Sequence, residues 1–399
     1  MGRRRLRFLV GANASVLAVP IALFASSAAA LGSSFVVTPG ASAPGSRLGG
    51  AGALAANDVW AVGTFQPTGP GFDDVGLEPF AEHFDGASWT QTPVAGTRFN
   101  DDNLVATAGA SHSDVWAVGF RKKTGFKSPV TTLAYHWDGA AWTEVATPVN
   151  NGTRASLAAV SAVAGNDVWA VGSAATAPST AQNALAEHWN GTTWTRVAVP
   201  LPAGTTTSAL LGVAARAAND AWAVGTANGH TFTTHWNGTA WAVVASADTP
   251  PQRAGATVSD SLTAVTAVSP TNVWAVGFAT DTVNGSFLPY RTVVEHWDGV
   301  GWSLVSAPSP FNHPQLTGVS AVNAGDVWAV GSGWNDVATG VPVAKPVFLH
   351  FDGTRWNSIA PPANVGGSDN LLAGVSSVAA TGDVWAVGSA SGALIERRA

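Results

Sequence analysis

One hexapeptide constrains this chain more than any other feature: DVWAVG, or a near copy, occurs seven times. Its tryptophans are Trp60, Trp116, Trp169, Trp222, Trp274, Trp328 and Trp385, spaced 52 to 57 residues apart. Self-similarity at such a period marks an array of equivalent supersecondary units. Each unit reads the same way. A short apolar run such as LAAVSAV (157–163) precedes the motif, and a segment such as LAEHW (185–189) follows it. An Asp-Gly or Asn-Gly turn comes next, and a tryptophan opens a last stretch such as WTEVATP (142–148). The stretches are short, rich in Val, Trp and Thr, and bounded by Gly, Asn or Pro, which are the signals of strands joined by hairpins. Four antiparallel strands in roughly 50 residues is the size of one propeller blade. The expected fold is all-β: a seven-bladed β-propeller with four antiparallel strands per blade.

The ends of the repeat array specify how the ring closes. The seventh unit has a first strand (LAGVSSV, 372–378), a DVWAVG strand and a third strand (LIERR, 394–398), and there the sequence stops. Far upstream, Phe35-Val36-Val37-Thr38-Pro39 matches the fourth strand of blade 1, Trp89-Thr90-Gln91-Thr92-Pro93, with Phe in place of Trp. The N-terminal strand is therefore expected to complete blade 7 and to cover an edge that would otherwise stay open.

Seventeen of the 18 tryptophans recur at three repeat positions, and only Trp334 lies outside the pattern. Tryptophan at a fixed repeat position is read as core, each ring burying about 150–250 Å². Hydrophobic residues make up 46% of the chain and charged ones 11%, enough apolar material for a core of this size. Cysteine is absent, which excludes disulfides, thiolate chemistry and Cys-based zinc sites.

Residues 1–30 read as a signal peptide, and 31–399 as a single propeller. Arg3, Arg4, Arg5 and Arg7 precede an apolar stretch from Phe8 to about Phe24, then Ala28-Ala29-Ala30. An uncleaved anchor is the competing reading, weakened by Asn13, Ser15 and Pro20. The expected setting is secreted and bacterial, with no membrane span after cleavage. Without those four arginines the formal charge falls from −6 to −10, which disfavours nucleic acid as a partner. The run Arg121-Lys122-Lys123 with Lys127 is read as a solvated loop.

The units DVWAVG … HWDGxxW resemble the tectonin and BNR-type bacterial propeller repeats over residues 35–399. The turns WDGAAW (137–142) and WNGTTW (189–194) are similar to the Asp-box turn of sialidase-type propellers, but lack its residue between Asp and Gly. The tectonin resemblance implies glycan or surface recognition. Sialidase chemistry would require an arginine cluster and a Tyr–Glu nucleophile pair, and the only tyrosines are Tyr135 and Tyr290.

Six histidines share one third-strand position: His83, His136, His188, His235, His296 and His350, with Arg397 in the seventh unit. Spread over separate blades, they cannot share an ion. Each is expected instead to bond the Asp of its own motif (Asp58, Asp114, Asp167, Asp220, Asp326, Asp383), or Asn272 in blade 5. The sequons at Asn190 and Asn237 are read as hairpin turns. No phosphate loop, metal-binding helix motif or nucleophile elbow is present, so neither metal, cofactor nor catalytic residues are assigned.

Strand alternation puts the connections between first and second strands and between third and fourth strands on one face, short and nearly invariant. The other connections form the opposite face and vary widely, which is where function is usually carried. Candidate ligand-binding residues on that face are Phe65, Phe72 and Asp73 of blade 1, Phe126 of blade 2, Phe287, Tyr290 and Arg291 of blade 5, and Trp334, Asn335 and Asp336 of blade 6. His230, His313, Phe99, Asp101 and Asp102 lie in neighbouring loops. Aromatics beside Asp, Asn and Arg suit sugars. The expectation is a monomeric, non-enzymatic recognition module for an extracellular glycan, cell wall or protein surface. The alternatives are a secreted glycan hydrolase or lyase, and an assembly propeller docking another cell-envelope protein.

Overall fold

A computed structural model describes residues 35–41, 45–67, 76–97, 99–123, 129–148, 154–175, 181–337, 341–362 and 369–398. They form seven antiparallel sheets built on four strands each, in chain order except in blade 7. Blade 1 is Arg47–Ala55, Asp58–Phe65, Glu78–Phe84 and Trp89–Thr92. Blade 5 adds a fifth short strand, Ser286–Phe287, to its second strand. In blade 7, Val36 and Val37 pair with Arg397 and Glu396, so the N-terminal segment supplies the fourth strand as expected.

The first strands line the axis. At the same place in every blade a residue slips out of register, between Leu48 and Gly50 in blade 1 and between Leu372 and Gly374 in blade 7. Such bulges sharpen twist, which a strand at the crowded centre needs. The next position is always Gly or Ala. A β-carbon at Gly50 would lie 2.8 Å from Cα of Ala106, and one at Gly212 2.8 Å from Cα of Ala264. The channel so formed encloses about 150 Å³ and presents Gly, Ala, Val, Leu and Thr, with no carboxylate among its lining residues. The glycine that ends the repeat motif has a similar cause. A β-carbon at Gly63 would lie 1.9 Å from the carbonyl oxygen of Arg47.

Between blades, the packing is aromatic. Each second-strand tryptophan inserts between third- and fourth-strand rings of the next blade. Trp60 meets Trp137 at 5.0 Å and Trp142 edge-on at 5.3 Å; Trp169 meets Trp236 at 4.8 Å and Trp241 edge-on at 4.9 Å. The same insertion closes the ring. Trp328 of blade 6 meets Phe35 edge-on at 5.3 Å, and Phe35 stacks on Phe348 at 4.1 Å. Where the other blades put a third-strand Trp or Phe, blade 7 has Arg398, whose guanidinium lies 4.8 Å from the Trp328 ring.

All seven motif pairs form. Nε2 of His83, His136 and His188 lies 2.8 Å from its Asp, His235 and His350 2.9 Å, His296 3.0 Å from Asn272, and Arg397 Nη2 2.9 Å from Asp383. Each imidazole also lies on the tryptophan across from it in register, at 4.2–4.6 Å. Burial holds His296, which faces an amide instead of a carboxylate, below the usual imidazole range. In the turns to the fourth strand, Oδ1 of Asp85 accepts the N–H groups of Ala87 and Ser88, and Gly86 takes φ 99°. Asn190 and Asn237 do the same, so both act as turn residues.

Candidate functional site

The variable-loop face brings part of the expected set together between blades 5 and 6. Blade 5 runs its second strand out to Val283, turns at Asn284-Gly285 with positive φ at both, and returns through Phe287 to Tyr290. Blade 6 begins its first strand at His313 and ends its second at Trp334, and these two residues face each other in register. The His313 ring stacks on Trp334 at 5.1 Å and 19°. Tyr290 meets His313 edge-on at 4.9 Å and Trp334 at 6.3 Å, and stacks against Phe278 at 6.0 Å.

A polar rim fixes these rings. His313 Nε2 lies 2.8 Å from Asp336 Oδ1, and Asn312 Nδ2 donates to Asp336 Oδ2 at 3.0 Å. Those bonds hold the Asp336 carboxyl below its usual range, though it stays exposed. Asn335 Oδ1 accepts the Asn312 N–H at 2.9 Å, and the Asn312 carbonyl accepts the Tyr290 N–H at 2.7 Å. Beneath the hairpin, Asp281 is fully buried. It accepts from Arg291 Nη2 at 2.7 Å and from the Gln252 N–H at 2.5 Å. Arg291 is thus a loop clamp, not a free ligand-binding cation. Apolar side chains are also open close by in the chain: Phe287, three residues before Tyr290, is 70% exposed, and Val337, three residues after Trp334, is exposed as well.

A second concavity, of about 410 Å³, opens on the same face between blades 4 and 5. His230, Ser246, Asp248, Thr249 and Asp260 line it. His230 is exposed at the mouth, 3.8 Å from the buried Asp260. Behind Ser246 lies Glu295, also buried, which accepts the serine hydroxyl at 2.9 Å and the Ala247 N–H at 3.2 Å. Burial pushes the Glu295 carboxyl up to about 7.

Among the described residues, other expected ones lie apart from this cluster. Phe65 packs edge-on against Phe80 of its own blade at 6.3 Å. Phe72, Asp73 and Phe126 lie outside the described residues, as does Lys127. Arg121 is not solvated. It forks onto the fully buried Asp102 at 2.6 and 2.9 Å and onto Glu144 at 2.9 and 3.0 Å, which raises its pKa further. His313, which sequence reasoning left in a neighbouring loop, sits at the centre of the cluster, and Asn312 beside it was not singled out at all. The available signal was that His313 falls outside the repeated histidine position.

No family model and no curated protein matches this sequence. Solved structures do resemble it in fold. One, YCF48 bound to D1 peptide, has a TM-score of 0.54 at 11% identity, covering 92% of this chain and 97% of that one. Another, the β-propeller domain of Myceliophteria thermophila Cps50 (Swd1), has a TM-score of 0.52 at 8% identity, covering 92% and 99%. At such identities the likeness extends to the fold alone.

Proposed function

We propose that this chain is an exported, non-enzymatic recognition module that binds a protein segment across blades 4 to 6 of its variable-loop face. The observation that carries this reading is the Tyr290–His313–Trp334 stack, with the exposed side chains of Phe287 and Val337 close to it in the chain. The three rings support one another, so the platform is firm without a ligand, which lowers the ordering cost of binding. Exposed apolar side chains near it suit aliphatic or aromatic side chains of a partner, as at the apolar core of protein interfaces. Asp248 and Asp260 give the adjoining concavity an acidic character that suits a lysine or arginine of the same segment.

Reactive groups in this sector are already engaged. His313 is tied to Asp336 and Arg291 to Asp281, which speaks for recognition over turnover. The solved propeller YCF48 carries a peptide, so a ring of this architecture can take one. Export rests on the basic, apolar and small-residue sequence of residues 1–30.

A second reading, glycan binding, draws on Tyr290 and Trp334 standing beside Asn312, Asn335 and Asp336. Selection of a random peptide library and a cell-wall glycan panel on the purified protein separates the two. Enrichment of peptides with a basic residue near apolar ones supports protein recognition. Retention of glycans alone overturns it in favour of the second reading.

A further inference from the structure

Of the nine histidines, six fill the repeated third-strand position, leaving His112, His230 and His313. His112 lies on the invariant-turn face, in the turn between the first and second strands of blade 2. At that turn position the other standard turns carry Ala56, Gly165, Ala218, Pro270 and Ala324. Only blade 2 places an imidazole there.

That imidazole reaches across to blade 1. His112 Nδ1 lies 3.1 Å from Asp58 Oδ2, while Oδ1 of the same carboxylate is 2.8 Å from His83 Nε2. One ligand atom from each of the three residues lies within 4.8 Å of the others. Asp58 is buried, His83 is half-buried and His112 is 65% exposed, so the cluster is anchored at its base and open at its mouth.

Comparison with other blades separates this cluster from the structural pair it grew from. In blade 4 the second oxygen of Asp220 is taken by the guanidinium of Arg216, at 2.7 and 2.9 Å, a fixed positive charge that would repel a cation. In blade 7 Arg397 occupies the histidine position itself. Blade 1 alone offers the motif carboxylate and two imidazoles. The blade 2 turn also differs in its bonding. In blades 3, 4 and 5 the third-strand indole donates to the carbonyl of this turn position, Gly165, Ala218 or Pro270, at 3.0–3.1 Å. The equivalent Trp137 indole N–H is buried without an acceptor.

We propose that Asp58, His83 and His112 form a binding site for one divalent first-row transition-metal ion, with the two imidazole nitrogens and the carboxylate as ligands and solvent completing the shell. Such a borderline ion prefers nitrogen with one carboxylate oxygen, at about 2.0–2.2 Å from each. In a tetrahedral shell, ligands at that range sit roughly 3.3 Å apart. The Oδ1–His83 pair, at 2.8 Å, is already close to that spacing, and the exposed His112, now 3.1 Å from Oδ2, can turn to bring its nitrogen onto the same ion.

The test is zinc titration of the full chain, purified without a histidine tag, followed by calorimetry near neutral pH. One zinc per chain is expected. His112→Ala, which removes an exposed side chain and leaves every motif pair in place, should weaken binding tenfold or more. Asp58→Asn should weaken it as well, because it removes the one anionic ligand. Three results would each overturn the proposal: no zinc bound by the wild type, several zinc ions per chain, or undiminished binding by His112→Ala.

Discussion

At the scale of single residues, repetition made roles legible. A residue present at one position in six or seven units is a structural part, and His–Asp pairing could be foreseen because both partners recur together. The same subtraction exposes the residues that do something else. Trp334, His313 and His112 all fall outside the repeat, and all three sit in the clusters described above. Arg121 was not legible, because its partners Asp102 and Glu144 come from different strands and no spacing announces them. Buried acids escaped notice for another reason. Glu82, Glu187, Glu295 and Glu396 precede the repeated histidine or its arginine replacement, alternate to the opposite side of the strand, and are almost fully buried. Burial pushes Glu187, Glu295 and Glu396 up to about 7. Between about pH 4.5 and 7 the folded state therefore holds protons that the unfolded state has released. Stability is fully present below the unfolded value and declines as pH rises through 7. The oxygens of Glu187 have no hydrogen-bond partner. Glu187→Gln should accordingly be the more stable protein at pH 8, by on the order of 1 kcal/mol, with the gap closing toward pH 5. Denaturant melts of both proteins at the two pH values give this directly, and an equal gap at both would contradict it.

At the scale of elements, strand number and order followed from the sequence because hairpin turns punctuate each blade. Register at the axis did not. The bulge in every first strand is a consequence of seven strands converging, and no residue type marks it beyond a small side chain. The closing strand was legible from one apolar pentapeptide, and Phe35 shows why. It is 3% exposed and makes the same edge-on contact with Trp328 that a fourth-strand tryptophan makes elsewhere. Phe35→Ala should cost about 3–5 kcal/mol, and deletion of residues 31–40 should cost more, since it also uncovers the third-strand edge of blade 7. Thermal melts of the two variants against the parent check this. An unchanged midpoint in the deletion would mean that the ring is not held by this strand.

At the scale of the whole molecule, the two faces differ in kind. Short Asx turns repeat around one face, while the other carries loops whose lengths and contents differ from blade to blade. A rigid frame with one variable face divides stability from recognition, so a loop can change without disturbing the core. The sequence located that face through strand alternation, but not the sector. Which candidates meet depends on how far each blade's hairpin extends: blade 5's second strand runs 12 residues, to Val283, and its return brings Tyr290 against His313 and Trp334 of blade 6. The most direct test of recognition by this sector compares two variants on opposite faces for affinity toward a selected peptide. Trp334→Ala removes one end of the stack, and Val300→Glu alters a fully exposed turn residue on the invariant face. The expected result is a tenfold or greater loss of affinity for Trp334→Ala with both melting midpoints unchanged and Val300→Glu binding as the parent does. Full affinity in Trp334→Ala, or a loss confined to Val300→Glu, would contradict it.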